Sequence, residues 1–445
     1  AAALNLAPPG DAVDAALILQ QSAKALLKEL AATLEHRDRL GAIAMTMAQG
    51  GWRWGPAVLA ALGIPADGNG AGALAAWQRL PEREDGAPPP APSDHAISEE
   101  AARDQLAELV GAGAEARPQQ FDYAAATAHA FIPRQEVDMP RLVLAEAGTG
   151  VGKTLGYIAP ASLWARKNGG TVWLSTYTRN LQRQLDFELD RLFPNPEEKA
   201  KRVVIRKGRE NYFCLLNFAE ATGRLRSGAG APGEAIGLGL MARWALKSRD
   251  GDMIGGDFPS WLADLVGRGT TLDLTDKRGE CTYSACAHYK KCFIEHSQRR
   301  ARRADIVVAN HALVMVHAAL GGAENGADGN APTRFVFDEG HHLFDAADSA
   351  FSAHLTGVEA SDLRRWIMGA EGRRNSRARG LQARIEDLIS DNDEAMAALS
   401  HTLSATRILP AQGWQERISG GNPHGPAEEF LGLTRGQVYA RDKNA

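Results

Sequence analysis

Between residues 14 and 40, Leu19, Ala23, Leu26, Leu30 and Leu34 return at steps of three and four, the spacing that lines one face of a helix. A second apolar stretch at 51–62, carrying Trp52 and Trp54, is suited to pack on that helix, so residues 1–80 read as a helical region. Residues 81–98 break the pattern, because Pro88, Pro89, Pro90 and Pro92 favour an extended linker. Beyond it, short β-rich runs at 142–144, 171–175, 203–205, 306–309 and 335–337 alternate with helical periodicity. That alternation predicts βα units and a parallel sheet, an α/β fold. A long interruption at 207–303 separates the third run from the fourth and predicts a subdomain inserted between two parts of the sheet-forming unit, 99–206 and 304–345. From 346 to 445 the periodicity is helical again, with an Arg-rich stretch at 373–379.

At 445 residues, 44% hydrophobic and 23% charged, the chain has the composition of a multi-domain globular protein, which excludes global disorder and a disulfide mini-scaffold. Lys plus Arg is 50 against 54 for Asp plus Glu, a net charge of -4, so any surface for a polyanion must be local. Two basic tracts qualify. Lys199, Lys201, Arg202, Arg206, Lys207 and Arg209 form one, and Lys290, Lys291, Arg299, Arg300, Arg302 and Arg303 the other; Tyr212, Phe213, Tyr283, Tyr289 and Phe293 interleave with them. A positive groove with aromatic platforms is what a single nucleic-acid strand requires. No long uncharged apolar run and no signal-like start are present, which predicts a cytoplasmic protein without a membrane span.

The sharpest chemistry lies in Ala147-Gly148-Thr149-Gly150-Val151-Gly152-Lys153-Thr154, which follows the run at 142–144 and precedes a helical pattern. Glycines let backbone amides turn toward phosphate oxygens, and the helix N-terminus favours an anion. Lys153 reaches the β- and γ-phosphates of a bound nucleoside triphosphate, and Thr154 holds Mg²⁺. The acidic complement is Phe335-Val336-Phe337-Asp338-Glu339-Gly340-His341-His342, an apolar run with two carboxylates at its tip. Asp338 suits the Mg²⁺ shell and Glu339 the orientation and deprotonation of an attacking water.

All four cysteines fall in the interruption: Cys214, then after 66 residues Cys281-x4-Cys286-x5-Cys292. Zinc ribbons pair their cysteines two to four residues apart, so this spacing favours a four-thiolate iron-sulfur cluster while leaving zinc or four independent thiols open.

Taken in order, the phosphate loop, Lys207-Gly208-Arg209-Glu210-Asn211-Tyr212-Phe213-Cys214, the three later cysteines, Ala309-Asn310-His311-Ala312-Leu313 and Asp338-Glu339-Gly340-His341 resemble the superfamily 2 iron-sulfur DNA helicases, in particular the bacterial DinG branch related to XPD. The resemblance covers residues 117–343. It implies a RecA-like P-loop motor domain, a [4Fe-4S] cluster on the four Cys positions, and ATP-driven 5′ to 3′ movement on single-stranded DNA, with forked or displaced-strand DNA unwound in repair or replication by a monomer. It places Arg117 and Gln120 at the adenine side, Ser175, Thr176, Thr178 and Gln182 on the DNA backbone, and Asn310 and His311 along the nucleotide or DNA side. It puts His341 in the acidic box, and Arg299 and Arg300 become DNA contacts. In the family a second motor domain supplies arginines to the ATP site, and the sequence after Leu343 shows no counterpart; the helical tail instead resembles the start of an Arch domain. Ser404-Ala405-Thr406 resembles the coupling triplet of helicases, but no apolar strand precedes it. The start without Met and the stop just after a helical segment predict a piece of a longer chain. The competing expectation is an ATP-gated iron-sulfur DNA-binding module without helicase activity.

Overall fold

The computed structural model describes residues 12–32, 37–65, 74–83, 87, 89–111, 117–134, 136, 139–226, 233–276, 281–320, 332–353, 356–369, 380–411 and 413–440. Leu34 and the Arg-rich stretch 373–379 lie outside these residues. Four parallel strands, β1 (Val172–Thr176), β2 (Val203–Ile205), β3 (Ile306–Asn310) and β4 (Arg334–Phe337), form one sheet in the order β2-β3-β1-β4. Val172 stands opposite Ile306 on one side and Arg334 on the other, and Val203 is also in register with Ile306. Every residue of β1 is buried. Strands covered on both faces read as continuous apolar runs, which is why these segments lack an alternating pattern.

The alternation reappears in what each face touches. Val172, Leu174, Ile306 and Val308 face a core shared with Ala102, Leu106, Phe131, Ile158 and Trp164, whereas Trp173, Val204, Val307 and Ala309 face a second core with Ala301 and Val314. The N-terminal helices are α1 (Ala12–Ala32), α2 (Arg37–Gln49), α3 (Gly55–Leu62) and α4 (Ala76–Arg79), followed by α5 (Glu99–Val110), α6 (Pro118–Ala128) and α7 (Lys153–Asn168). Helix α7 packs between α5, α6 and the sheet, and eleven of its sixteen residues are buried. A helix apolar nearly all round belongs in a core, not on a surface.

The expected strand at 142–144 is not one. Leu142 and Leu144 are 78% and 88% exposed, and neither pairs with a strand among the described residues. An extended run becomes a strand only where a neighbour accepts its ladder, so the segment is an exposed lead into the glycine-rich loop at 148–152.

Between β1 and β2 lie α8 (Arg179–Leu192) and α9 (Pro196–Arg202), and the interruption after β2 carries α10 (Leu215–Arg226), α11 (Glu234–Lys247), α12 (Ser260–Val266), α13 (Arg268–Asp273) and α14 (Phe293–Ala301). Its core is shared with the N-terminal helices: Ile43, Met47, Ala76 and Leu80 join Phe213, Phe218, Leu238 and Phe293. Around the proline-rich segment, of which Pro88 lies outside the described residues, Arg83 is tied by a backbone bond to Lys290, Ser93 by one to Asn168, and Asp94 by an ion pair with Arg334 at 2.6 Å. No described helix is long and apolar enough to cross a membrane.

After β3, α15 (His311–Ala319) leads toward β4, and the rest is helical: α16 (Leu343–Phe351), α17 (Gly357–Met368), α18 (Leu381–Ile389), α19 (Asp393–Thr406), α20 (Trp414–Ser419) and α21 (Pro426–Val438). Ser404-Ala405-Thr406 closes α19 as its last turn, not as a strand-borne triplet. Near the end, the Glu428 carboxylate is fully buried and receives Arg417 Nε at 2.8 Å, Arg417 Nη2, His424 N at 2.8 Å and Ala411 N at 3.1 Å. The Arg417 bond first, and the two backbone amides after it, hold its pKa at about 2, below the ordinary 4.5.

That depressed value makes the contribution of Glu428 complete above pH 4.5 and lost as the pH falls toward about 2. Glu428→Gln should destabilise the 411–428 segment at pH 7 by about 1.5–3 kcal/mol, the worth of hydrogen bonds to a charged group. Hydrogen exchange of that segment should show the gap from wild type narrowing between pH 7 and pH 3; a constant gap would contradict the assignment.

Candidate functional site: a phosphate loop facing an acidic strand end, and a four-cysteine pocket

The carboxyl ends of parallel strands are where an open α/β sheet presents its chemistry, and three features converge there. The loop preceding α7 reaches Gly150 at φ 82° and Gly152 at φ 87° before Lys153 begins the helix. Two side chains from the start of α6 hold that loop: Arg117 Nη1 donates to the Gly150 carbonyl at 3.0 Å and Gln120 Nε2 to the Gly152 carbonyl at 2.8 Å. A Cβ on Gly152 would lie 2.2 Å from that Gln120 nitrogen. Both glycine conformation and glycine size are therefore used at 152.

Opposite the loop, Asp338 N donates to Ser175 O at 2.8 Å, extending the β1–β4 ladder one step past the strand. Glu339 then turns the chain at φ 55°, a left-handed backbone rare for a side chain of its size. Its carboxylate meets Lys153 Nζ at 3.3 Å, and His341 Nδ1 approaches the other oxygen at 3.6 Å. The sequence-predicted residues Lys153, Thr154, Asp338 and Glu339 thus belong to one locus. Burial, reinforced by the Glu339 charge, pushes the Asp338 carboxyl up, while Lys153 and Tyr157 draw it back. His341 is exposed, and His342 stacks on Tyr177 at 3.8 Å.

Buried His311 joins its Nδ1 to Ser175 Oγ at 2.8 Å, and burial lowers its pKa, which favours the neutral ring. Asn310 caps α15 by accepting from Leu313 N. Of the residues expected on a DNA backbone, only Thr178 is at the surface, where its hydroxyl caps α8 by accepting from Leu181 N at 3.2 Å. Thr176 and Gln182 are buried, because β1 and the inner face of α8 pack into the sheet.

The basic tracts are largely spent on structure. Arg299 Nη1 donates to the Arg83 carbonyl at 2.5 Å and its guanidinium lies 4.8 Å over Tyr289; Arg300 Nη2 donates to the Ala200 carbonyl. Backbone carbonyls receive both of these half-buried residues, which are thus tied into the packing of the fold. Lys199 pairs with Asp186 and Asp190, Arg202 with Asp305, and Lys207 with Asp252. Tyr212, Phe213 and Phe293 are core residues, leaving Tyr283 as the exposed member of that set.

All four cysteines line one pocket, together with Asp276 and Glu295. Arg209 Nη2 donates to Cys281 Sγ at 2.7 Å, Tyr283 N–H to the same sulfur at 3.3 Å, and His288 N–H to Cys286 Sγ at 3.4 Å. Arg209 is itself fixed by Asp276 at 2.8 Å and lies 4.7 Å over the Tyr283 ring, whose residue adopts φ 49°. Burial raises the thiols of Cys214, Cys281 and Cys292, the last to about 11. Among the described residues no three His, Cys, Asp or Glu converge on a point that would hold a single metal ion. The Arg209–Cys281 contact was hidden in the sequence behind the apparent role of a basic tract, and no local pattern marks a pairing across 72 positions.

No protein-family model matches the chain. The chain is 31% identical over 240 residues to the ATP-dependent DNA helicase YoaA of Escherichia coli strain K12, which spans 52% of this chain and 34% of that protein. It is 31% identical over 264 residues to the ATP-dependent helicase DinG of Mycobacterium tuberculosis strain H37Rv, 55% of this chain and 37% of the relative. With a protein named 3′-5′ exonuclease DinG from Bacillus subtilis strain 168 it shares 29% identity over 258 residues, 57% of this chain and 25% of the relative. The chain is DinG- and YoaA-like over about half its length, and the matched part spans about a third or less of these relatives.

Two glycines in one loop give an internal contrast. Gly152→Ala should cost about 1–2 kcal/mol from left-handed backbone alone, with a further loss from displacing Gln120. Gly148, around which a Cβ meets nothing within 4 Å, should tolerate Ala. Urea denaturation of both variants checks this, and equal midpoints would contradict the reading of the loop.

Proposed function

We propose that this chain is the nucleotide-binding, cysteine-bearing part of an ATP-dependent DNA helicase that moves 5′ to 3′ on single-stranded DNA. The observation that carries the proposal is the meeting of Lys153, at the head of the phosphate-loop helix, with Glu339 at the tip of β4, 3.3 Å apart across 186 positions of sequence. Lys153 and the loop amides bind the β- and γ-phosphates. Thr154 and Asp338 hold Mg²⁺, and Glu339 orients the attacking water and takes its proton. Mg²⁺ held by Thr154 and Asp338 would supply positive charge against the phosphate oxygens. Raised by burial, the Asp338 carboxyl suits a partner of double positive charge. Arg117 and Gln120 keep the loop open by holding its carbonyls, whatever further contact they make with adenine.

Cys214, Cys281, Cys286 and Cys292 hold a [4Fe-4S] cluster. The four sulfurs line one pocket, and the donors on Cys281 and Cys286 are of the kind that tune cluster sulfurs. Such a cluster supplies bonds that tie four chain positions together and a potential set by those donors. The Cys214, Cys281 and Cys292 thiols, which burial keeps protonated, would give up their protons on iron binding.

Forked and displaced-strand DNA are the proposed substrates, in repair or replication, with Thr178, His341 and the Tyr177–His342 stack at the exposed strand ends as the first DNA contacts to test. We place the protein in the cytoplasm as a monomer. The arginine that neutralises the transferring phosphoryl comes from a second motor domain, and the helices after Leu343 open an Arch domain.

Anaerobically purified protein should be brown with broad visible absorbance, and Cys281→Ser should bleach it; colourless protein with stoichiometric zinc would contradict the cluster. Arginines of this kind contribute on the order of 10³–10⁵ in rate, so residues 1–445 alone should hydrolyse ATP very slowly even with DNA. A longer form carrying the second motor domain should hydrolyse ATP and unwind DNA, and Lys153→Ala or Glu339→Gln should abolish both while leaving the colour. Brisk DNA-stimulated hydrolysis by residues 1–445 would overturn the assignment of the missing arginine.

A further inference from the structure

We propose that Tyr157 is a positioning residue for magnesium: its buried hydroxyl donates to the Asp338 carboxylate when the metal is bound and thereby aims the opposite carboxylate oxygen at the ion. The proposal rests on the reading that Thr154 and Asp338 share that ion.

Tyr157 lies three residues after Thr154 and four after Lys153, so the three share one face of α7. It is 2% exposed, and its hydroxyl sits beside Thr154 and Asp338 yet meets neither in a hydrogen bond of normal geometry. A buried polar atom without a partner is costly, and the interior of a helix packed nearly all round would take Phe as readily if packing alone were required. The hydroxyl is placed where a small rotation of one carboxylate satisfies it. A phenol is protonated at neutral pH, so the hydroxyl is available as a proton donor. Donors to a ligating carboxylate fix its orientation and are typically worth 10–100-fold in metal affinity. Tyr123, whose ring fills the space beside Gly156, walls the same side without reaching that position in the helix.

The test uses the full 445-residue chain, a fluorescent mant-labelled non-hydrolysable ATP analogue, and the isosteric Tyr157→Phe variant. Nucleotide binding is titrated with Mg²⁺, and thermal unfolding is followed with and without nucleotide and metal. Expected for Tyr157→Phe are an unchanged or higher unfolding temperature without ligand, unchanged nucleotide affinity in EDTA, and a half-saturating Mg²⁺ concentration raised about tenfold. Half-saturation equal to wild type would overturn the proposal. So would a lower ligand-free unfolding temperature together with equal loss of nucleotide binding in EDTA, since that is the signature of packing. If wild-type binding itself does not respond to Mg²⁺, the shared Thr154–Asp338 ion fails, and that failure is read in wild type alone.

Discussion

Everything at the site depends on β1 being buried on both faces. Its two sides feed separate cores, one with α5, α6 and α7 and one with α14 and α15. Because β1 lies between β3 and β4 in parallel register, the ends of all three come out at one edge. That edge delivers Ser175 to His311, Asp338 to the backbone of β1, and Glu339 to Lys153. A loss of packing at Trp173 or Leu174 would act on the chemistry by moving these ends apart, with no catalytic side chain touched.

The cysteine pocket rests on a different foundation. Its core is built jointly by the interruption and the N-terminal helices, so Ile43, Met47 and Leu80 support the walls from which Cys214 and Cys292 project. Arg209 is the electrostatic centre: three acidic or sulfur partners, Asp276, Glu295 and Cys281, surround one guanidinium. The basic look of this stretch in sequence is therefore mostly internal charge balance, as it is for Lys199, Arg202 and Lys207. Net positive surface for a nucleic acid has to be sought among the residues these pairs leave over.

Sequence made the glycine-rich loop, the acidic strand end and the existence of a parallel sheet legible, because each needs particular residue types in a particular order. What it left obscure has identifiable physical causes. The run at 142–144 has strand-like residues but no ladder partner among the described residues, and pairing is not encoded in local composition. Thr176 and Gln182 look like surface hydroxyl and amide groups until the packing of β1 and α8 buries them. Arg299 and Arg300 read as solvent charges, yet carbonyls nearly a hundred or more positions away receive them. Nothing in the local sequence separates the role of Tyr157 from that of a Phe; only the location of its hydroxyl does.

The account stands on a triphosphate held between Lys153 and Asp338 in a protein whose four cysteines bind iron. The most direct measurement is a crystal structure of anaerobically prepared protein grown with Mg²⁺ and a non-hydrolysable ATP analogue, with anomalous data collected at the iron edge. The account predicts phosphates against Lys153 and the loop amides, and iron peaks in the pocket lined by Cys214, Cys281, Cys286 and Cys292. Nucleotide bound elsewhere, or a single zinc peak in that pocket, would contradict it.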